Sequence, residues 1–186
     1  MRFKRTRRGV EAKLEPVEAE LLAQCAGELL ELLGDADGGE DPPADPLEAL
    51  VGLPSGDVSA PDDPALARLF PDAYADDDAA AAEFRRFTET DLRAGKRAAA
   101  SDALVMLQPL LAGGGKLVLD RDQADTWLSW LNDIRLVLGT RLEVTDDTSP
   151  EDLDPADPRW QVMHVYSWLG WLQESLLSCV EPRSQV

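Results

Sequence analysis

The sequence predicts a mainly helical fold, a bundle of five or six helices with a small antiparallel β-element made of an N-terminal hairpin and one short strand. Apolar residues recur at helical spacing in most segments that are not rich in Gly, Asp or Pro. Runs typical of short strands occur in only two places, around Gly9 and after the triple glycine at 113–115. With 186 residues, 44% of them hydrophobic, the chain is long enough to bury one core. We therefore expect a single domain over residues 1–186.

The β-element is predicted first from the N-terminal segment. Residues 2–6 and 10–14 flank Arg7-Arg8-Gly9, a pattern typical of a hairpin with Gly9 at the turn. Two strands alone are marginally stable in water, so the hairpin needs another element to pack against. Residues 116–119, which follow the triple glycine, are the candidate third strand.

The helices are predicted from their start and stop signals. Proline suits the first helical position, glycine suits the position after the last, and acidic side chains favour the first turn. Gly95 is expected to kink the longest helix and divide it into two segments. The predicted helices run from Pro16 to Gly34, over 65–70, from 76–78 to about 94, over 96–108, from Asp120 to Gly139, and from Arg159 to about Val180.

The segment between the first two helices has a different composition. It is acidic, rich in Gly and Pro, and lacks periodic apolar residues. We interpret it as a mobile linker at about 35–62, around one weak helical turn at 45–50.

The charge of the chain is strongly uneven. The net charge is −18, yet residues 1–13 hold six Lys and Arg and one acidic residue, a local balance of +5. The remainder carries −23, and a surface of that sign repels phosphate groups. We therefore expect DNA contact to be weak or indirect. The N-terminal cations Arg2, Lys4, Arg5, Arg7 and Arg8 are candidate partner-binding residues.

Residue chemistry gives little support for an enzyme. His164 is the single histidine, so any Ser-His or Cys-His mechanism or imidazole metal site would depend on it. Gly113–Lys116 lacks the spacing of a phosphate-binding loop, and Leu117 stands where that motif has Ser or Thr. We expect no catalytic site, no metal and no cofactor. Because the start of the chain lacks the apolar stretch of a signal peptide and no segment reads as a membrane span, we expect a cytoplasmic protein.

The last predicted helix has two apolar faces. One is a core seam that includes Val162, Leu169 and Leu176. A helix with two apolar faces is either central in the bundle or half covered by a partner protein or a second copy of the chain. The second face, a candidate partner or homodimer surface, consists of Trp160, His164, Trp168 and Trp171.

The two cysteines, Cys25 and Cys179, both fall on apolar stripes. Cysteine is among the most buried residue types, so one interpretation is a pair of buried thiols that pack as small apolar groups. The alternative is a redox role, which requires the first and last helices to be neighbours or one thiol to be exposed.

A third set of candidate residues lies on the longest helix. Arg86, Arg93 and Arg97 share one helical stripe, with Lys96 beside it. The stripe either forms ion pairs with nearby acids or joins the basic hairpin in a nucleic-acid or acidic-protein surface.

Three segments and the MRFKR start resemble an actinobacterial family catalogued as a domain of unknown function, whose members include oxidative-stress transcriptional regulators. The segments are DPALARLFPDAY at 63–74, AEFRRFT at 82–88 and WLSWLNDIRLVLGTRL at 127–142. The resemblance covers nearly the whole chain outside the linker.

The resemblance implies a cytoplasmic, non-enzymatic regulator that works with a stress sigma factor. It also implies an alternative, an adaptor or accessory protein linked to the Clp protease. The redox mechanism of the family rests on a closely spaced cysteine pair. This chain departs from that pattern, because Cys25 and Cys179 lie far apart in sequence.

Overall fold

The computed structural model describes residues 1–34, 61–74, 76–145, 148 and 153–181. Within these ranges it has a three-stranded antiparallel sheet and five α-helices, which confirms the predicted fold class. The predicted linker at 35–62, with its helical turn at 45–50, lies outside the described residues except for 61 and 62. The elements are β1 (Lys4–Thr6), β2 (Gly9–Leu14), α1 (Pro16–Leu33), α2 (Pro64–Leu69), α3 (Asp78–Leu107), β3 (Gly115–Leu119), α4 (Arg121–Arg141) and α5 (Arg159–Val180), with a 3-10 turn (Gln108–Leu110) after α3.

The sheet has the strand order β1-β2-β3, so both predicted pairings are confirmed. Thr6 lies opposite Gly9, and Val10 lies opposite Leu119. Gly9 has a φ of 126°, and a Cβ at this position would lie 2.2 Å from the carbonyl oxygen of Leu119. The close approach of β3 therefore requires glycine at the end of the hairpin turn.

Side-chain caps fix the helix starts where the sequence predicts them. The Asp63 carboxylate accepts hydrogen bonds from the backbone N–H groups of Ala65 and Leu66, at 2.7 and 3.2 Å. Asp120 and Gln123 each accept a hydrogen bond from the other's backbone N–H, at 2.9 and 3.0 Å. These caps satisfy N–H groups that have no partner inside a helix.

Two glycine signals are misleading. The helix α3 continues through Gly95 without dividing, because one glycine in a helix interior costs only about 1 kcal/mol relative to alanine. The helix α4 continues past Gly139 to Arg141. A Cβ at Gly139 would lie 3.3 Å from the ring of Tyr166, so this glycine allows close packing of α5 and does not end the helix.

The core is centred on α4, which packs against α2, α3 and α5 and contacts the sheet. Its Trp127 and Trp130 have no exposed surface and meet edge to face with ring centroids 5.0 Å apart. Phe3, just before β1, packs its ring edge to face on Trp127 at 6.2 Å. The hairpin is thus anchored in the centre of the core. The helix α1 packs mainly on α3 and also contacts α4.

The last helix covers one side of the bundle. It packs on α4 and against β1 and β2. Leu169 and Leu176 are buried as predicted, but Val162 is exposed and Met163 is buried in its place. The central position therefore belongs to α4, and α5 is half covered. None of the described helices is long and apolar enough to cross a membrane.

Candidate functional site

The outward side of the sheet and its turn form a basic surface, which we call the basic face. Alternation along β2 turns Val10 and Ala12 into the core and leaves Glu11 and Lys13 on the opposite side. In β3 the same alternation leaves Lys116 exposed. The basic face consists of the exposed side chains of Arg2, Lys4, Arg7, Arg8, Lys13 and Lys116.

The register of the strands sets the charge pattern of the basic face. Lys13 lies directly opposite Lys116, and Lys4 lies opposite Glu11. The Nζ of Lys116 is 3.0 Å from Oε2 of Glu11. The hydrogen bond from Lys116 lowers the pKa of Glu11, which keeps that carboxyl ionised. One carboxylate therefore offsets only part of the positive charge on this surface.

Arg5 has a different role from its neighbours. It shares the core side of the sheet with Val10, and its Nη2 donates hydrogen bonds to the carbonyl oxygens of Val180 and Glu181, at 3.3 and 3.1 Å. These carbonyls end α5 and lack partners inside the helix. The N–H of Phe3 also donates to Ser175 Oγ at 3.4 Å. Arg5 therefore holds the hairpin against the end of α5.

A cavity of about 160 Å³ lies between the hairpin, the start of α4 and the end of α5. Its lining includes Arg5, Asp120, Arg121 and Cys179. Cys179 is 7% exposed. Asp120 caps α4, and Arg121 pairs with an acid on the next turn of α4, so the polar groups of the cavity serve the fold.

The two candidate redox residues lie in different parts of the fold. Cys25 is on α1, which packs on α3, whereas Cys179 is on α5, which packs on α4 and the hairpin. Both are free thiols and both are buried. Burial raises the pKa of the Cys25 thiol to about 11, so this thiol is protonated at neutral pH. A protonated thiol is a poor nucleophile, so burial disfavours a redox reaction at Cys25.

The second apolar face of α5 is partly open. Trp171 is 47% exposed, and Trp160 and Trp168 are half-buried. The centre of the exposed His164 ring lies 4.0 Å from the centre of the Trp160 ring, and Nδ1 of His164 is 2.8 Å from the Trp160 carbonyl oxygen. We call this set of four residues the aromatic face.

The arginine stripe on α3 forms one of the expected ion pairs, Arg93 Nη2 with Glu89 at 2.7 Å, and it also holds α1. Arg93 donates from Nη1 to the carbonyl of Leu33 at 2.8 Å, and Arg97 donates to the carbonyl of Leu30 at 3.2 Å. Cations at a helix C-terminus are favoured by its dipole. The Arg86 guanidinium is half-buried and lies 5.7 Å from the centre of the Phe87 ring. Arg93 and Arg97 lie at the C-terminal end of α1, whereas the hairpin leads into its N-terminal end. These ends are about 27 Å apart in an 18-residue helix, so the two arginines do not join the basic face.

Beside this stripe, α3 contributes buried charges that the sequence did not reveal. Arg85 is 6% exposed and donates to Glu89 at 2.9 Å and to the carbonyl of Phe70 at 3.2 Å. Lys96 donates to Asp133 on α4 at 2.7 Å. The spacing of Arg85 and Glu89 by four residues was a usable signal, whereas the pairing of Lys96 with Asp133 depends on tertiary packing.

The described residues contain no group of three or more His, Cys, Asp or Glu side chains placed to hold a metal ion. The basic face and the aromatic face expose arginine and tryptophan side chains, which are residue types enriched at protein interfaces.

Comparisons with known proteins agree with the resemblance in sequence. Residues 1–180 match the family model described as Domain of unknown function (DUF2017). Proteins named oxidative stress regulator AosR, from Mycobacterium tuberculosis and Mycobacterium bovis, are 37% identical over 179 residues, which cover 89% of this chain and 79% of each relative. A putative oxidative stress regulator AosR from Mycobacterium leprae is 34% identical over 175 residues, covering 87% of this chain and 78% of that protein. No solved structure matches the chain significantly.

Proposed function

The chain belongs to the DUF2017 family, and we propose that it is a cytoplasmic, non-enzymatic stress-response regulator that acts through contacts with other proteins. The observation that carries the proposal is the similarity to relatives named oxidative stress regulator over 89% of the chain. The exposed cations of the basic face support the mode of action, because they form a positive surface on a chain of net charge −18.

The proposed partner is a stress sigma factor, and the basic face is the proposed point of contact. A protein partner fits this surface better than DNA does. The basic face is small, so its attraction for the phosphate backbone of DNA is weak. The remaining residues carry −23 and repel the same phosphates. Any effect on transcription would then run through the partner, with DNA contact weak or indirect.

The aromatic face is proposed as a second contact surface, for the same partner or for a second copy of the chain. Half-exposed tryptophans are the side chains from which binding energy is most often obtained. Measurement of molecular mass in solution for the wild type and for Trp171→Ser separates the two uses. Loss of a dimer in the variant supports self-association, whereas a wild type that is already monomeric contradicts it.

A capture experiment tests the proposal. Tagged wild-type chain is incubated with extract from its source cells, oxidised and reduced, and bound proteins are identified by mass spectrometry. The variant with both Arg7→Glu and Arg8→Glu should lose the sigma factor. Arg68→Glu, a single charge reversal of an exposed arginine on α2, is the control for a change away from the basic face and should retain it.

The same experiment addresses the alternative function. Enrichment of a Clp protease component, with no sigma factor, would favour a Clp-linked adaptor. Equal recovery of every protein on the wild type and on the Arg7 and Arg8 double variant would contradict a role for the basic face.

A further inference from the structure

The third strand forms an open edge of the sheet. It pairs with β2 on one side, and none of the strands in the described part of the chain lies on its other side. Among the described residues, no turn, loop or cap hydrogen bond reaches the backbone of Gly115–Leu119. An edge of this kind presents N–H and C=O groups that an extended chain can bind as an additional strand.

Of the two exposed side chains on β3, Val118 is apolar and Lys116 is positively charged. Lys116 is 68% exposed and lies directly opposite Lys13 on the central strand. Like charges directly opposite each other destabilise a pair of strands, and Glu11 neutralises only one of the two lysines. A carboxylate placed next to Lys116 from the open side would relieve this repulsion. The charge pattern therefore favours an acidic occupant.

We propose that the open edge of β3 binds an extended acidic segment of a protein partner as a fourth strand. Alternating residues of the segment would place carboxylates beside Lys116 on the outer side and apolar side chains beside the buried row of Leu117 and Leu119. This inference rests on the proposed function, since it names the chemistry of a partner that the basic face would bind.

Two other occupants fit the edge less well. A second copy paired edge to edge would bring its own Lys116 against this strand, and lysine on an edge strand is a known obstacle to such pairing. A nucleic acid offers phosphates to the lysines, but its backbone does not supply the regular N–H and C=O groups that continue a β-ladder. An extended peptide supplies both the charge and the hydrogen bonds.

A defined peptide tests the proposal. The probe is a fluorescent eight-residue peptide of alternating Glu and Val, with blocked ends, titrated with the full chain near physiological salt and followed by anisotropy. We expect saturable binding that weakens about tenfold when Lys13→Glu and Lys116→Glu are combined. Arg68→Glu, a single charge reversal on α2, is the control for a change away from the sheet and should leave the affinity unchanged. Hydrogen exchange at 115–119 should slow in the complex.

A second probe separates strand addition from attraction by charge alone. Peptides of the same sequence with every second backbone nitrogen methylated, in either phase, keep their charge but lose the N–H donors of one edge. We expect one of the two phases to lose binding. No binding of the parent peptide, full binding of both methylated forms, or tighter binding of single-stranded DNA that is also lost in the double lysine variant would each overturn the proposal.

The outcome is separable from that of the proposed function. If the peptide fails to bind while the sigma factor is still captured through Arg7 and Arg8, the fourth-strand inference is wrong and the regulator proposal stands. If the peptide binds and no sigma factor is captured, the edge binds acidic segments and the proposed partner is wrong.

Discussion

Replacement of Asp133 by asparagine should leave the protein as stable as before, or more stable, at pH 7. Asp133 is 2% exposed, and its Oδ1 accepts a hydrogen bond from Nζ of Lys96 at 2.7 Å. Its Oδ2 accepts no hydrogen bond from any described residue. Burial raises the pKa of Asp133 above its ordinary value of 3.8, even though Lys96 opposes the rise. The ionised carboxyl is therefore less favourable in the folded chain than in water.

The sign of the pH dependence follows from that shift. Because the folded pKa lies above the unfolded one, the native state holds a proton between the two values that the unfolded state has released. This contribution to stability is fully present below the unfolded pKa and is lost as the pH rises through the folded pKa. Each unit of elevation corresponds to about 1.4 kcal/mol. Asp133→Asn keeps the shape of the side chain and one hydrogen-bond acceptor. Because asparagine does not ionise, the variant does not lose this stability as the pH rises.

Urea unfolding of the wild type and the variant from pH 4 to pH 8 measures the effect. The chain has 36 Asp and Glu, so the difference between the two proteins is the quantity that isolates Asp133. The variant should gain stability relative to the wild type as the pH rises. Lys96→Met is the comparison, and it should lose about 3 kcal/mol at pH 7 because the buried carboxylate loses its partner. A loss of more than about 2 kcal/mol by Asp133→Asn would refute the reasoning, since it would mean that the ion pair is net stabilising.

Three further outcomes are expected. Cys25 should react slowly with a thiol reagent at pH 7.5 in the native protein and rapidly in denaturant, because its pKa of about 11 keeps the buried thiol protonated. Mass mapping of the labelled peptides measures both rates, and fast labelling of the native protein would contradict the prediction. Gly9→Ala should lower the free energy of unfolding, measured by thermal unfolding, by about 2 kcal/mol or more, because its Cβ would clash with Leu119. The control is Gly27→Ala, whose Cβ meets nothing within 4 Å and which should stabilise α1 by up to about 1 kcal/mol. Equal effects of the two substitutions would argue against the clash. Phe70→Leu should lower the free energy of unfolding in urea by about 1–2 kcal/mol, because Arg93 and Lys96 lie 4.7 and 6.0 Å from the centre of the Phe70 ring. An unchanged midpoint would show that these cation–π contacts contribute nothing.

Local signals were sufficient for most of the elements. The capping acids Asp63 and Asp120 and the prolines Pro16 and Pro64 mark helix starts that the structure confirms. These signals act within a few residues, so they can be interpreted without knowledge of the fold. Gly139 was wrongly predicted to end α4. Glycine is needed at this position because Tyr166 approaches from another helix, and a contact of that kind cannot be inferred from neighbouring residues.

The candidate site was only partly predictable for the same reason. The hairpin cations are adjacent in sequence, and the structure leaves Lys4, Arg7 and Arg8 exposed. The contribution of Lys116 depends on a pairing with Lys13 that spans more than a hundred residues. Spacing along one helix likewise suggested a surface stripe for Arg93 and Arg97. Arg93 does pair with Glu89, as the spacing allows, but Arg93 and Arg97 also donate to carbonyls at the end of α1, 60 and 67 positions away, which the spacing could not reveal.

The arrangement of cations is itself an argument for a function in binding. One group has structural partners: Arg5, Arg85, Arg93, Lys96 and Arg97 each bind a backbone carbonyl or a carboxylate inside the fold. A second group lies on the basic face and forms no ion pair with any described residue: Arg2, Lys4, Arg7, Arg8 and Lys13. The second group adds self-repulsion to the hairpin, which among the described residues Glu11 offsets only in part, and its members lie on one surface of a protein whose remainder carries −23. Folding does not require that concentration of charge, whereas attraction of an acidic partner does.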